Sequence, residues 1–130
     1  VLTGCKKKED VATQRQLIVG YWKLSSANEY MRLMNDDSEK LNDQYLGYEW
    51  NADEGTVEDD LWQESMYHGN SWFKWYIAEG KKNNSLTKIN LVTFGGYEVE
   101  KTYTITKLTE TTLVLDDDHG EKTYIKTSKP

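Results

Sequence analysis

The chain has 130 residues, with 22 acidic side chains against 16 basic ones and a formal net charge of −6, which leaves room for one domain and little more. An acidic surface repels phosphate backbones and argues against nucleic acid as a general partner. A single cysteine excludes an internal disulfide and a Cys-rich zinc site, and no apolar run approaches the ~18–20 residues of a membrane-crossing helix.

In chain order, the first element is not a strand. The numbering opens on Val1 with no initiator Met, and Leu2-Thr3-Gly4-Cys5 resembles the lipobox of bacterial lipoproteins: an apolar residue, two small ones, then Cys. The resemblance implies that residues 1–4 are the remnant of a signal peptide and that Cys5 is lipidated. Residues 5–16 are then the anchor and a polar linker, ending in a short helix through Asp10 to Leu17. Each buried acyl methylene is worth ~0.8 kcal/mol, so a multiply acylated Cys holds firmly to a membrane. The implied location is the bacterial cell envelope, lipid-anchored on the periplasmic side of the outer membrane or at the cell surface. Lys6-Lys7-Lys8-Glu9-Asp10 loosely resembles the charged stretch that accompanies surface delivery in Bacteroidetes lipoproteins; a solvated spacer explains the same residues.

From residue 17 to 130 the rhythm changes to that of one β domain. Five Trp, nine Tyr and two Phe supply 12% of the chain, and large rings bury enough area to give a small domain a core. Short runs rich in Tyr, Trp, Val, Ile and Thr alternate with Gly, Asn and Asp clusters, the pattern of strands and tight turns. Strands are predicted at 20–29, 45–51, 56–66, 71–79, 85–93, 97–108, 111–117 and 121–127, with 31–42 as a short helix or loop. Tyr97, Val99, Tyr103 and Ile105 share one face, which Lys101 interrupts on its way to a rim. Eight strands joined mostly by short turns predict an all-β fold, a small antiparallel up-and-down barrel, with a curled open sheet or sandwich as the alternative.

Three stretches together resemble the lipocalin-like domain of Bacteroidetes lipoproteins: Gly20-Tyr21-Trp22-Lys23-Leu24, the Tyr48–Val57 strand-turn-strand, and Tyr103–Leu115 followed by Tyr124-Ile125-Lys126. The resemblance implies that Gly20 and Trp22 are structural at a barrel end, Trp22 as its plug. It also implies a module that binds a small apolar or amphipathic ligand. The sequence departs from the wider lipocalins in lacking a late Arg to stack on that Trp, for which Lys126 is a partial substitute.

No constellation for catalysis stands out, and no cofactor or metal is expected. His68 and His119 each precede Gly in turn-like settings, and there is no nucleophile elbow or phosphate loop. Asp116-Asp117-Asp118 is the densest acidic spot, read as a solvated turn against a cation site. The aromatic band is the better lead. Trp72 and Tyr76 must face one way and Phe73 and Trp75 the other, one set lining the interior and the other lying outside. Candidate ligand contacts are Trp50, Trp62, Trp72, Trp75, Tyr76 and Tyr103. The competing expectation is a filled barrel acting as a non-catalytic envelope protein that contacts another protein or a glycan.

Overall fold

A computed structural model of the chain describes residues 10–35, 44–52, 71–90 and 100–128. They form one helix, α1 (Val11–Ile18), and the strands β1 (Gly20–Leu24), β2 (Glu29–Leu33), β3 (Tyr45–Asn51), β4 (Ser71–Ala78), β5 (Ser85–Asn90), β6 (Glu100–Leu108), β7 (Thr112–Asp116) and β8 (Glu121–Thr127). Each strand pairs antiparallel with its chain neighbours and β8 closes on β1, so the eight strands make a closed up-and-down barrel. Closure pairs what would otherwise be two exposed sheet edges.

The barrel is the expected one, but its strands are not all the expected ones. The stretch predicted as one strand over 20–29 is a β1–β2 hairpin turning between Leu24 and Glu29. Met31 to Leu33, predicted as the start of a helix or loop, belongs to β2, where Trp22 pairs with Met31 and Gly20 with Leu33. Met31 and Leu33 are buried while Tyr30 and Arg32 point outward; the alternation was present, but polar neighbours diluted it. The strand predicted at 56–66 lies outside the described residues, as do Tyr97 and Val99.

One irregularity sets which side chains reach the core late in the chain. Between β6 and β7 the register shifts from Ile105↔Leu115 to Lys107↔Val114, leaving Thr106 as an extra residue on β6. Strict alternation after Tyr103 and Ile105 would aim Lys107 inward. The bulge instead turns Leu108 toward the core and leaves Lys107 exposed. The β7–β8 turn absorbs the acidic cluster: Asp118 N–H donates to Asp116 Oδ1 and His119 N–H to Asp117 Oδ1, each at 3.0 Å. Such side-chain-capped turns are what Asp does locally, and Asp118 takes the positive φ of 74° that the turn requires.

Helix α1 covers one end of the barrel. Asp10 caps it, Oδ1 accepting from Thr13 N–H at 2.7 Å. Its buried face presents Ile18 to the core, and Gln14 Oε1 accepts from Asn84 Nδ2 at 2.9 Å. The short helix expected through Asp10 to Leu17 is thus present as Val11–Ile18, and it packs on the barrel. Below it Trp22 is fully buried, its Nε1–H donating to Ile18 O at 2.8 Å. Lys126, inward-facing on β8 opposite Trp22, lies with Nζ 4.6 Å from the Trp22 ring centroid and donates to Val19 O and to Leu17 O. One ammonium therefore satisfies carbonyls at the helix C-terminus, where cations are favoured, and stacks a cation on the plug. Gly20 makes this possible: its φ is +136°, and a Cβ there would stand 2.8 Å from both Cε and Nζ of Lys126.

The apolar interior fills the helix-side half. Phe73, Trp75, Ile77, Leu86, Ile105, Leu113 and Leu115 join Trp22, Met31 and Leu33 there. Gly47 admits Phe73, since a Cβ on Gly47 would come within 2.7 Å of that ring.

Candidate functional site

The opposite end carries a different chemistry on the same inward faces. Pairing places Glu49 beside Met31, Lys88 beside Trp75 and Lys101, and Lys122 beside Leu115, so these charged side chains point into the barrel, in phase with apolar residues deeper along each strand. They line a pocket of about 340 Å³, together with Glu29, Asn51, Tyr103 and Tyr124. Tyr30, Met31 and Trp50 also border it.

At its floor Lys88 Nζ meets Glu49 Oε2 at 2.7 Å, and the lysine side chain is 7% exposed against 36% for the glutamate. The ammonium also lies 5.0 Å from the Phe73 ring centroid and 5.3 Å from that of Tyr103, so it is shielded on two sides by aromatic faces. Nearer the rim, Lys101 Nζ stands 3.4 Å from Asp117 Oδ2. Donation from His119 N–H, then the nearby Lys101, holds the Asp117 carboxyl below its ordinary range. Lys122 is half-buried and Glu29 exposed; neither forms a hydrogen bond or ion pair among the described residues.

Tyr48 and Tyr124 are buried phenols whose pKa values burial raises well above the usual tyrosine range; at Tyr124 the carboxylates of Glu49 and Glu29 add to the effect. In the unfolded chain a phenol ionises near pH 10, so above that pH the folded state keeps protons that the unfolded state releases. Stability from these two groups is complete below about pH 10 and declines as pH rises past it. Lys126, whose pKa burial lowers, acts in the opposite sense and at lower pH: its contribution grows as pH rises toward the unfolded lysine value near 10.4 and is complete above it. An alkaline spectrophotometric titration, compared with Tyr48→Phe and Tyr124→Phe variants, is expected to show these two phenols ionising only as the protein unfolds. Reversible ionisation of Tyr48 and Tyr124 in folded protein would contradict this.

The residues predicted as ligand contacts separate into three groups. Tyr103 lines the pocket, and Trp50 touches its edge from the outward face of β3, opposite Tyr30. Trp75 is fully buried in the core, its Nε1–H donating to Met34 O at 3.1 Å and Leu46 O at 3.0 Å. Trp72 and Tyr76 face outward, since Phe73, Trp75 and Ile77 take the inward positions of β4. Trp72 packs there on Tyr48, ring centroids 4.9 Å apart, and Trp50 stacks on Tyr30 at 5.1 Å and 9°. Trp62, His68 and Cys5 lie outside the described residues.

Sequence reading overlooked Glu49, Lys88, Lys122 and Tyr124. Their signal was positional: Lys88 follows Leu86 by two residues, Lys101 precedes Tyr103 by two, and Lys122 precedes Tyr124 by two, each sharing a face with a core residue. Chemically the site offers ammonium and phenol donors beside carboxylate acceptors. No group of three or more metal-ligating side chains occurs among the described residues.

No protein-family model matches the chain, and comparison with curated proteins and with solved structures gives no match. The barrel is therefore read from its own geometry.

Proposed function

We propose that the protein is a non-catalytic binding module of the bacterial envelope, tethered through a lipidated Cys5, that receives a small amphipathic molecule in the mouth of its barrel. The observation that carries this is the pocket of about 340 Å³ at the end that α1 leaves uncovered, bordered by Lys88, Lys101, Lys122, Tyr103 and Tyr124. Ligand sites are commonly concave and found in barrel mouths, with a few convergent polar groups fixing orientation. The helix-side half is occupied by Trp22, Phe73 and Trp75, so a wholly apolar ligand has no free interior there, and the polar end of an amphipathic one meets charged partners.

A second function is favoured by the outer wall, where Trp72 and Tyr30 are half-buried beside Tyr48 and Trp50. Aromatic residues concentrated on an outer face suit an envelope protein or glycan partner. One experiment separates the two. Protein isolated from its native host under non-denaturing conditions is analysed by native mass spectrometry and then extracted with solvent. Ligand binding predicts a stoichiometric small molecule that leaves on extraction. An empty barrel that co-purifies with envelope protein or glycan would reject the first function in favour of the second.

A further inference from the structure

The charges at the barrel mouth are unevenly committed, and that imbalance identifies an occupant. Glu49 is engaged by Lys88 at 2.7 Å on the pocket floor. Asp117 accepts from its own turn, at His119 N–H, and faces Lys101 at 3.4 Å. Glu29 is exposed on the rim, where water solvates it. Lys122 is different: it is half-buried, points inward from β8 beside Leu115, and has no ion pair or hydrogen bond among the described residues. Beside it stand Tyr124 and Tyr103, both buried and both bordering the pocket; as neutral phenols they are O–H donors. Among the described residues the mouth thus carries the ammonium groups of Lys88, Lys101 and Lys122 against the carboxylates of Glu49, Asp117 and Glu29, and Lys122 is the ammonium that none of these carboxylates contacts.

We infer that the mouth takes a small organic anion, its carboxylate or phosphate oxygens set against Lys122 and Lys101 with phenol donors alongside; this rests on the ligand-binding function proposed above. Charge-assisted hydrogen bonds in a partly desolvated pocket are stronger than neutral ones, whereas a cationic ligand would oppose Lys122. The volume of about 340 Å³ is at the small end of ligand pockets, which span roughly 300–1,000 Å³, so the anion is compact rather than a long acyl chain.

Isotope-labelled protein is titrated with matched probes while backbone amide resonances are followed: benzoate against benzyl alcohol and benzylamine, and glucose 6-phosphate against glucose. Ionic strength is held constant with chloride. Benzoate or glucose 6-phosphate is expected to shift the amides of Lys101, Lys122 and Tyr124 saturably, and the neutral and cationic partners to bind at least about tenfold more weakly, ~1.4 kcal/mol. Lys122→Gln is expected to weaken the anion by about the same factor, and Lys122→Arg to retain most of the affinity. Because Arg keeps the charge, the pair separates loss of charge from loss of fold. Equal binding of glucose and glucose 6-phosphate at these residues would overturn the anion while leaving the pocket a ligand site. Shifts reproduced by chloride alone, or no saturable shift with either anion, would also overturn it. The ligand-binding function itself then stands or falls on the native-host preparation.

Discussion

Trp75→Ala is expected to cost about 3–5 kcal/mol, the range for deleting a buried aromatic ring, and thus a large part of the ~5–15 kcal/mol that holds a typical domain together. The indole is fully buried between β3 and β5, its ring centroid 5.6 Å from that of Tyr45. Truncation opens a void next to Phe73 and Leu86 and removes both indole hydrogen bonds. Leu46 O keeps a partner in Met34 N–H at 3.0 Å, whereas Met34 O loses its indole donor. The melting temperature should fall by roughly 10–25 °C, given a few degrees per kcal/mol for a domain of this size. Trp72→Ala, on the outer wall, is expected to fall clearly less. Thermal and urea denaturation of the two variants checks the assignment, and a larger loss for Trp72 would reverse inside and outside on β4.

Glu49→Ala carries the second large effect. It leaves the Lys88 ammonium, 7% exposed, without its counter-charge among the described residues. Removing one partner of a fully buried pair costs ~3–5 kcal/mol. The 36% exposure of Glu49 lets pocket water compensate in part, so a loss of about 2–4 kcal/mol is expected after discounting for solvent. Lys88→Met removes the charge itself and places an apolar chain between Phe73 and Tyr103; it should cost less than about 1 kcal/mol or stabilise. The double variant is therefore expected to recover most of what Glu49→Ala loses, with a coupling of about 2 kcal/mol. Urea denaturation of the four proteins measures it. Additive losses would show that the contact between Lys88 and Glu49 contributes nothing specific.

Both effects concern residues whose surroundings were unevenly legible. Phe73 and Trp75 had to share a face because strand side chains alternate, but period two cannot say which face is inside; pairing with Asn90 and Lys88 on β5, and closure around them, settles it. On β7, Leu113 and Leu115 alternate cleanly with Thr112, Val114 and Asp116, and both are buried. On β2 the same alternation went unread, because Arg32 and the polar, acidic residues from Asn35 onward made Met31 to Leu33 read as the start of one polar stretch.

Lys88, Glu49 and Lys122 illustrate the harder case. A charged residue in phase with leucines reads as an interruption along one strand, as Lys101 did. Five strands brought round one axis turn such interruptions into a lined pocket, since side chains from β2, β3, β5, β6 and β8 converge there. Lys126 is similar: only the pairing of β8 with β1 and the seat of α1 bring its ammonium onto Trp22 and to the carbonyls of Leu17 and Val19.

Local chemistry along the chain was enough for the strand rhythm, the turns at Thr109 and Asp116–Gly120, the short helix capped by Asp10, and the closed antiparallel architecture, because alternation and turn preference act over a few neighbouring residues. The pole of the barrel that is filled, the pole that is wet, and the company each lysine keeps emerged with closure. Those properties depend on contacts between residues as far apart in sequence as Leu17 and Lys126, and short-range periodicity carries no information about distances of that kind.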